Sequence, residues 1–385
     1  MKKDVKSNVL PHSQAKLNLY KDYLSEYLPI LGNSQFIDRI NLFDIFCGAG
    51  VYEDGNLGSP LIAASQILNY ISSFNEQGKV VKPIRLVIND FDATKVNGVQ
   101  DVLDSLPLTN CKIEAYNLDA DAMFEVTANN IKSYSQRERN LVFIDPYGYS
   151  KIQKNSLLKI LETNRTEVLL FLPVAQMYRF TGKAQTDFET KCYDNLRKFT
   201  NEFFAGNEKA LQSNFTNVFD YINELTQAFS FDNSYYTSSH YIQRDSANYY
   251  AVFFIGHHIY GLEKFLEVKW KNDSLGKGFN QQSIGNTLFG DNLEVLDKTY
   301  TEERLEKILK ELLKQRQSCN NLELYEFTLK NQFLPKHCNE VIRRLKREGK
   351  LVIQDLFGHI VNTNSFGLTY AVYKERKIKY TFRMK

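Results

Sequence analysis

Nowhere in this sequence does an apolar run approach the roughly 20 residues that a membrane-spanning helix needs, so a helical membrane span is excluded. Cysteine is scarce. Cys47, Cys111, Cys192, Cys319 and Cys338 are odd in number, scattered, and form no C-x-x-C pair. They spell out neither a disulfide framework nor a zinc or iron–sulfur ligand set. Residues 1–13, MKKDVKSNVLPHS, lead into no apolar stretch of the kind a secretory leader carries. These shortages give the expectation of a reduced, cytoplasmic setting. Histidine is sparse, and the adjacent pair His257-His258 lacks the i,i+4 spacing and the third partner of a metal site, so no metal is expected. The third glycine of the dinucleotide fingerprint is also missing. Glu53 stands three residues after Gly50, which disfavours NAD.

What is present is an ordinary globular composition over 385 residues, enough for a sizeable core and a second domain. The 27 phenylalanines and 23 tyrosines read first as core and second as stacking surface for bases. Charge is uneven. Residues 301–385 hold 18 lysines and arginines against 10 acids, a net of +8, while residues 1–300 carry −5. Any nucleic-acid contact is therefore expected from the C-terminal part.

The chain is organised around Leu42 to Pro60. Leu42, Phe43, Ile45 and Phe46 form an apolar run with one acid, Asp44, that stops at Gly48-Ala49-Gly50. This predicts a buried strand, a tight glycine turn and then a helix through Leu61–Leu68. Such a unit brings backbone N–H groups up to a nucleotide-like ligand. S-adenosylmethionine asks for an acid and a Gly-x-Gly turn, and both are here. Asp44, Gly48, Ala49 and Gly50 are the candidate contacts to its methionine part.

Around this unit the pattern predicts an α/β fold, a doubly wound Rossmann-like methyltransferase sheet. Helical spacing over residues 13–31 gives a first helix with Ser13 as N-cap and Lys16 solvated or at a cofactor mouth. Ile84–Asp92 is a second strand, whose Asp90, or next Asp92, is placed to accept ribose hydroxyls unless these acids cap the following helix. Residues 112–121 are a third strand with Asp119 placed for an adenine amine and Asp121 as a helix cap. The fourth, LVFIDPYGY, delivers Asp145, Pro146 and Tyr147 to the carboxyl edge. There a carboxylate can orient an acceptor amine and the aromatic can stack on a planar substrate. Val168–Val174 is a fifth strand, with Pro173 marking an edge or bulge. A helical insertion at about 175–240 and a late strand, Tyr249–Gly256, complete the domain, set at 1–275. Residues 276–300 read as a linker.

Residues 301–385 change pattern. Thr301 caps a charged helix, Leu322–Phe333 is a second helix, and Pro335 opens a third. The stripe of the third is Cys338, Val341, Ile342 and Leu345, and Gly349 closes it. Leu351–Gln354 and a strand near Ile360-Val361 make a wing. This is a winged helix-turn-helix, with Arg343, Arg344, Lys346 and Arg347 as candidate contacts to DNA or RNA. The same module also serves in protein docking.

Together AKLNLYKDYLSEYLPIL, FDIFCGAGVY with GSPL, FIDPYG, YYAVFFIGHH leading to EVKW, and LYEFTLKNQFLPKHCNEVIRRLKREGKLV resemble the three-Cys-motif partner protein family, TcmP. The resemblance implies a Rossmann-type methyltransferase domain joined to a winged helix. It implies cofactor contacts at Asp44, Gly48 and Gly50 and the Asp-Pro turn at Asp145 and Pro146. It also implies an iron–sulfur, radical-S-adenosylmethionine-type protein as partner. The DPYG tetrapeptide lacks the second proline of the D-P-P-Y/F motif of amino-methyltransferases. Two functions follow as expectations: an S-adenosylmethionine-dependent methyltransferase acting on nucleic acid, or a non-catalytic adaptor of the same fold.

Overall fold

A computed structural model of the chain describes residues 10–212, 215, 217–245, 248–272, 278–280 and 302–385. The predicted cap Thr301 and most of the predicted linker lie outside the described residues. By contacts, the chain divides into two compact units: the described residues up to Gly261 with Gly278–Asn280, and residues 262–272 with those from Glu302 on.

The first unit begins with α1 (Pro11–Gly32), which starts at Pro11 and not after Ser13. A proline at the first helical position loses no hydrogen bond, because that N–H has no intrahelical partner. β1 (Arg39–Asp44), β2 (Ile84–Asn89), β3 (Cys111–Tyr116), β4 (Glu138–Ile144) and β5 (Thr166–Leu172) follow, all parallel, in the order β3-β2-β1-β4-β5. α2 (Ser59–Glu76), α3 (Ala93–Ser105), α4 (Ala120–Ser133) and α5 (Lys154–Leu161) are the crossovers. This is the doubly wound arrangement. β6 (Tyr236–Asp245) and β7 (Asn248–Gly256) form a hairpin, with β7 antiparallel between β5 and β6 and β8 (Gly278–Asn280) beyond. β5 is therefore internal, and Pro173 lies just past it, at the start of α6 (Val174–Thr186), where a missing N–H breaks no ladder.

The segment read as a helical insertion is helical in α6, α7 (Asp194–Phe203), α8 (Glu208–Leu211) and α9 (Val218–Ala228), but β6 already begins inside it, at Tyr236. Its apolar sides are core. Phe199, Phe203, Phe204, Tyr221 and Phe229 are buried, and Phe229 meets Phe253 of β7 edge-on at 5.0 Å. Many of the chain's aromatics are spent here.

Near their amino ends the parallel strands carry a buried polar ladder. Asn41 donates to Glu138 Oε2 at 3.0 Å and to Asn140 Oδ1 at 2.9 Å. Arg85 Nη1 donates to Asn41 Oδ1 at 2.9 Å, and its Nε lies 3.2 Å from Glu114. Asn140 in turn donates to Thr166.

The second unit takes in the end of α10 (Ile259–Asn272), then α11 (Glu302–Arg316), β9 (Cys319–Asn320), α12 (Asn321–Lys330), α13 (Pro335–Arg347), β10 (Leu351–Gln354), α14 (Tyr370–Lys374) and β11 (Thr381–Met384). Asn320 and Glu323 form a capping box on α12. The α13 stripe of Cys338, Val341, Ile342 and Leu345 is buried as its spacing predicts, and Gly349 follows with φ +67°. The wing differs from expectation. Ile360 makes a single bridge to Gln354, and the strand that pairs with β10 is β11, set centrally in the order β10-β11-β9. Leu351, Val352, Ile353 and Phe382 bury more apolar surface in that pairing than Ile360, which is 74% exposed. The module is a winged helix.

Glu167, in β5, gives a stability test. It is half-buried and accepts from the Tyr23 hydroxyl at 2.7 Å. Burial pushes its carboxyl up to about 7, against the pull of that bond and of Arg139. A raised carboxyl contributes stability below its unfolded value and loses it as pH climbs through about 7. Glu167→Gln keeps an acceptor for Tyr23 without the charge. Urea unfolding should show little change at pH 4 and a gain on the order of 2–3 kcal/mol at pH 8; a gain independent of pH would refute the assignment.

Candidate cofactor and acceptor site

The carboxyl ends of β1, β2 and β4 meet at one edge of the sheet. β1 ends on Asp44, and the chain then turns through Phe46 and Cys47. Asn89, at the end of β2, ties the edge together. Its side chain donates to the carbonyls of Ile45 and Leu118 and accepts from Leu118 N–H, while its own carbonyl accepts from Cys47 N–H. Sequence reasoning passed over Asn89, because its neighbour Asp90 offered the stronger chemical cue.

Gly48 (φ +61°) and Gly50 (φ +74°) are both in the left-handed region. A β-carbon at Gly48 would meet nothing within 4 Å, so that side of the turn is open. One at Gly50 would fall 2.7 Å from Val99 Cγ2. Residues 51–57 then leave the edge as a short excursion, bridged at Val51 and Leu57. Gly58 brings the chain back: its N–H donates to the Gly50 carbonyl at 2.6 Å, and a β-carbon there would sit 2.9 Å from that oxygen. Gly58-Ser59-Pro60, a motif without a role in the sequence, is thus the return of the loop and the start of α2.

Asp44 is completely buried, and no hydrogen bond of good geometry reaches either carboxylate oxygen. Burial pushes its carboxyl up to about 7; the Ser59 hydroxyl nearby opposes the rise, the charge of Asp145 adds to it, and the Phe46 amide and Lys16 oppose it. Burial, with the charges of Asp44 and Asp90, holds the Cys47 thiol well above its ordinary range. Cys47 is therefore no nucleophile.

Asp90 is buried and already engaged. Its Oδ2 accepts from Gly48 N–H at 3.1 Å and its Oδ1 from Asp92 N–H at 2.9 Å. It braces the glycine turn from below. Asp92 caps α3 through Thr94 N–H, the capping role weighed for it. The cap falls to Asp119 and not to Asp121: Asp119 caps α4 by accepting from Ala122 N–H at 3.0 Å, while Asp121 sits in the first turn and accepts from Gln153. Asp119 has the extended backbone that an N-cap requires.

The largest departure is Lys16. It is 6% exposed, and its ammonium pairs with Asp145 Oδ2, the carboxylate read as the acceptor-orienting group. It also lies 4.5 Å from the Phe171 ring centroid. Pro146 is buried behind Asp145. Tyr147 is 87% exposed, and its hydroxyl accepts from Lys95 of α3 at 3.0 Å. Ala49 is exposed on the turn. His257 and His258 lie exposed before α10, and His258 Nδ1 accepts from Tyr260 N–H. Among the described residues no cluster of metal-ligating side chains is present.

In the winged helix the four basic candidates separate. Arg344 pairs with Glu306 at 2.6 Å and Glu302 at 3.5 Å, and Lys346 donates to the Thr363 carbonyl at 2.7 Å. Both are drawn into the module's own structure. Arg343, 5.9 Å from the Phe366 ring, and Arg347 are exposed.

Residues 275–356 match the family model of the GMT-like wHTH domain. No curated protein matches the chain. Similar solved structures include WbdD, at 12% identity and TM-score 0.33 over 63% of this chain, and this chain spans 40% of the length of that one. A loganic acid methyltransferase with SAH aligns at 10% identity and TM-score 0.31, over 76% of this chain and 88% of the other. The cyclopropane synthase MmaA2 from Mycobacterium tuberculosis aligns at 12% identity and TM-score 0.27, over 74% of each.

The two glycines should behave differently. Gly48→Ala faces only the left-handed backbone and should cost about 1–2 kcal/mol of stability. Gly50→Ala faces the same backbone and the Val99 contact as well, and should cost more. Equal losses in denaturant unfolding would contradict the packing described for Gly50.

Proposed function

We propose that the protein is an S-adenosylmethionine-dependent methyltransferase whose winged helix engages nucleic acid. One observation carries the cofactor reading: Asp44 is a buried carboxylate with no well-aligned donor on either oxygen, set beside a glycine turn with an open face. A buried acid left so is costly unless a donor arrives. An α-ammonium group meets that need, and the neighbouring Asp90 and Asp145 also suit a cationic ligand. The reversed β7 between β5 and β6 agrees with the methyltransferase sheet that the sequence resembles.

In this reading Asp44, Gly48, Ala49 and Gly50 hold the methionine part. Asp90 accepts ribose hydroxyls with the lone pairs its two present bonds leave over. Asp119 accepts from the adenine amine with the oxygen not used on α4. Asp145, Pro146 and Tyr147 place the acceptor. When bound, S-adenosylmethionine supplies an electrophilic methyl group. The chain's own work is positioning and exclusion of water, and methyl transfer to nitrogen asks for little more. Arg343 and Arg347 are the phosphate contacts. The TcmP resemblance supports the pairing of these two modules and suggests the iron–sulfur partner.

A second reading, a non-catalytic adaptor, is favoured by one specific feature. Asp145 is already paired with Lys16, so the acceptor carboxylate is partly taken. Cofactor binding without transfer to any polymer, with recovery of a bound partner, would support it.

Calorimetric titration with S-adenosylmethionine tests the cofactor site. Asp44 must be ionised to receive an ammonium, so affinity should rise as pH climbs through about 7, with proton release below that value. Asp44→Asn should lower affinity at least about tenfold and flatten the pH dependence. Unaltered binding in that variant would remove Asp44 from the site. For the winged helix, Arg347→Ala and Arg343→Ala should each weaken DNA or RNA binding across sequences and reduce the salt slope by about 1. Unchanged anisotropy titrations in both would turn the module toward protein docking.

A further inference from the structure

We propose that Lys16 is the positioning residue of this site: it grips Asp145 by Oδ2, fixes where the other carboxylate oxygen points, and supplies the cation that lets Asp44 and Asp145 carry charge at the same edge. The inference rests on the methyltransferase reading for its purpose, though not for its geometry.

Lys16 is not a lysine that happens to reach an acid. It lies in the first turns of α1, 129 residues away in sequence from Asp145, and is buried. A stack of rings backs it. The Phe171 ring carries the ammonium at 4.5 Å, Tyr250 stacks on Phe171 at 5.3 Å and 10°, and His12 stacks on Tyr250 at 4.8 Å and 11°. His12 and Lys16 are four residues apart on α1, so one helix face presents both to the stack. The charge is held on an aromatic face on one side and a carboxylate on the other.

Stability is a poor explanation for such a pair. Taking two charges out of water costs about as much as their attraction returns, and an apolar pair of the same volume often does better. What a fixed ion pair gives is direction. With Lys16 on Oδ2, Asp145 cannot rotate freely, and Oδ1 keeps its lone pairs for a hydrogen of the acceptor. The charges and titratable groups around the ammonium come from every adjoining element: Asp44 from β1, Tyr52 from the excursion, Asp145 after β4, Tyr250 from β7, and His12 on its own helix. The acids outnumber the cation. Removing it leaves Asp44 and Asp145 to repel each other, and Asp44 yields because it is the buried one.

The test compares Lys16→Met, which keeps the stem, with Lys16→Arg, which keeps the charge. In the protein without cofactor, the Asp44 carboxyl is followed by carbon-detected NMR through a pH titration. Lys16→Met should move its midpoint upward by about 0.5 unit or more, and Lys16→Arg should restore it. The pH at which S-adenosylmethionine affinity reaches half its plateau should move with it. A purely structural role would lower affinity equally at all pH values and leave both midpoints in place, and that outcome overturns the proposal. If the wild-type protein binds no S-adenosylmethionine, the cofactor reading falls, and the NMR titration still decides the role of Lys16. Circular dichroism at pH 6 and pH 8 confirms that each variant is folded before it is scored.

Discussion

The carboxyl edge of the sheet depends on one backbone hydrogen bond, from Gly58 N–H to the Gly50 carbonyl. It closes the excursion after β1 and returns the chain to the place it left. α2 can then begin beside the end of its strand. Ser59 stands near Asp44 because of it, and the glycine turn presents an open face. No side chain fits at Gly58, because the bond brings two backbones into contact.

Two groups of polar residues are buried in the same sheet, and they obey opposite rules. At the amino ends, Asn41, Arg85, Glu138, Asn140 and Thr166 satisfy one another in a ladder. Such a network pins the register and needs nothing from outside. At the carboxyl end of β1, Asp44 belongs to no such ladder and has only the Ser59 hydroxyl and the Phe46 amide near it.

Much of the fold was legible because its signals are local. The apolar runs of β1, β4 and β7, the glycine turn and the stripe of α13 are readable from short windows. What escaped is what distant residues decide. Lys16 lies on the flank of a helical stripe, where spacing alone cannot tell solvent from a carboxylate 129 residues away. β11 pairs with β10 across a segment with no strand signal of its own. Arg344 and Lys346 looked like part of a basic face until α11 supplied acids and residue 363 a carbonyl. The cap of α4 fell to Asp119 and not Asp121, because composition does not reveal which of two acids takes the extended backbone of a cap. The candidate acids were in the sequence; their partners were not.

The contacts of α1 bear on the order of assembly. The helix precedes the sheet in the chain, yet it closes on Asp145, 129 residues later, and on Glu167, 144 residues later. Neither contact can form until β4 and β5 have joined β1, and contacts of such separation form slowly because the loop between them must first be ordered. A chain that has formed its glycine turn but not yet seated α1 holds an acid-lined edge without its cation. A half-folded chain therefore presents the turn before Lys16 has reached Asp145.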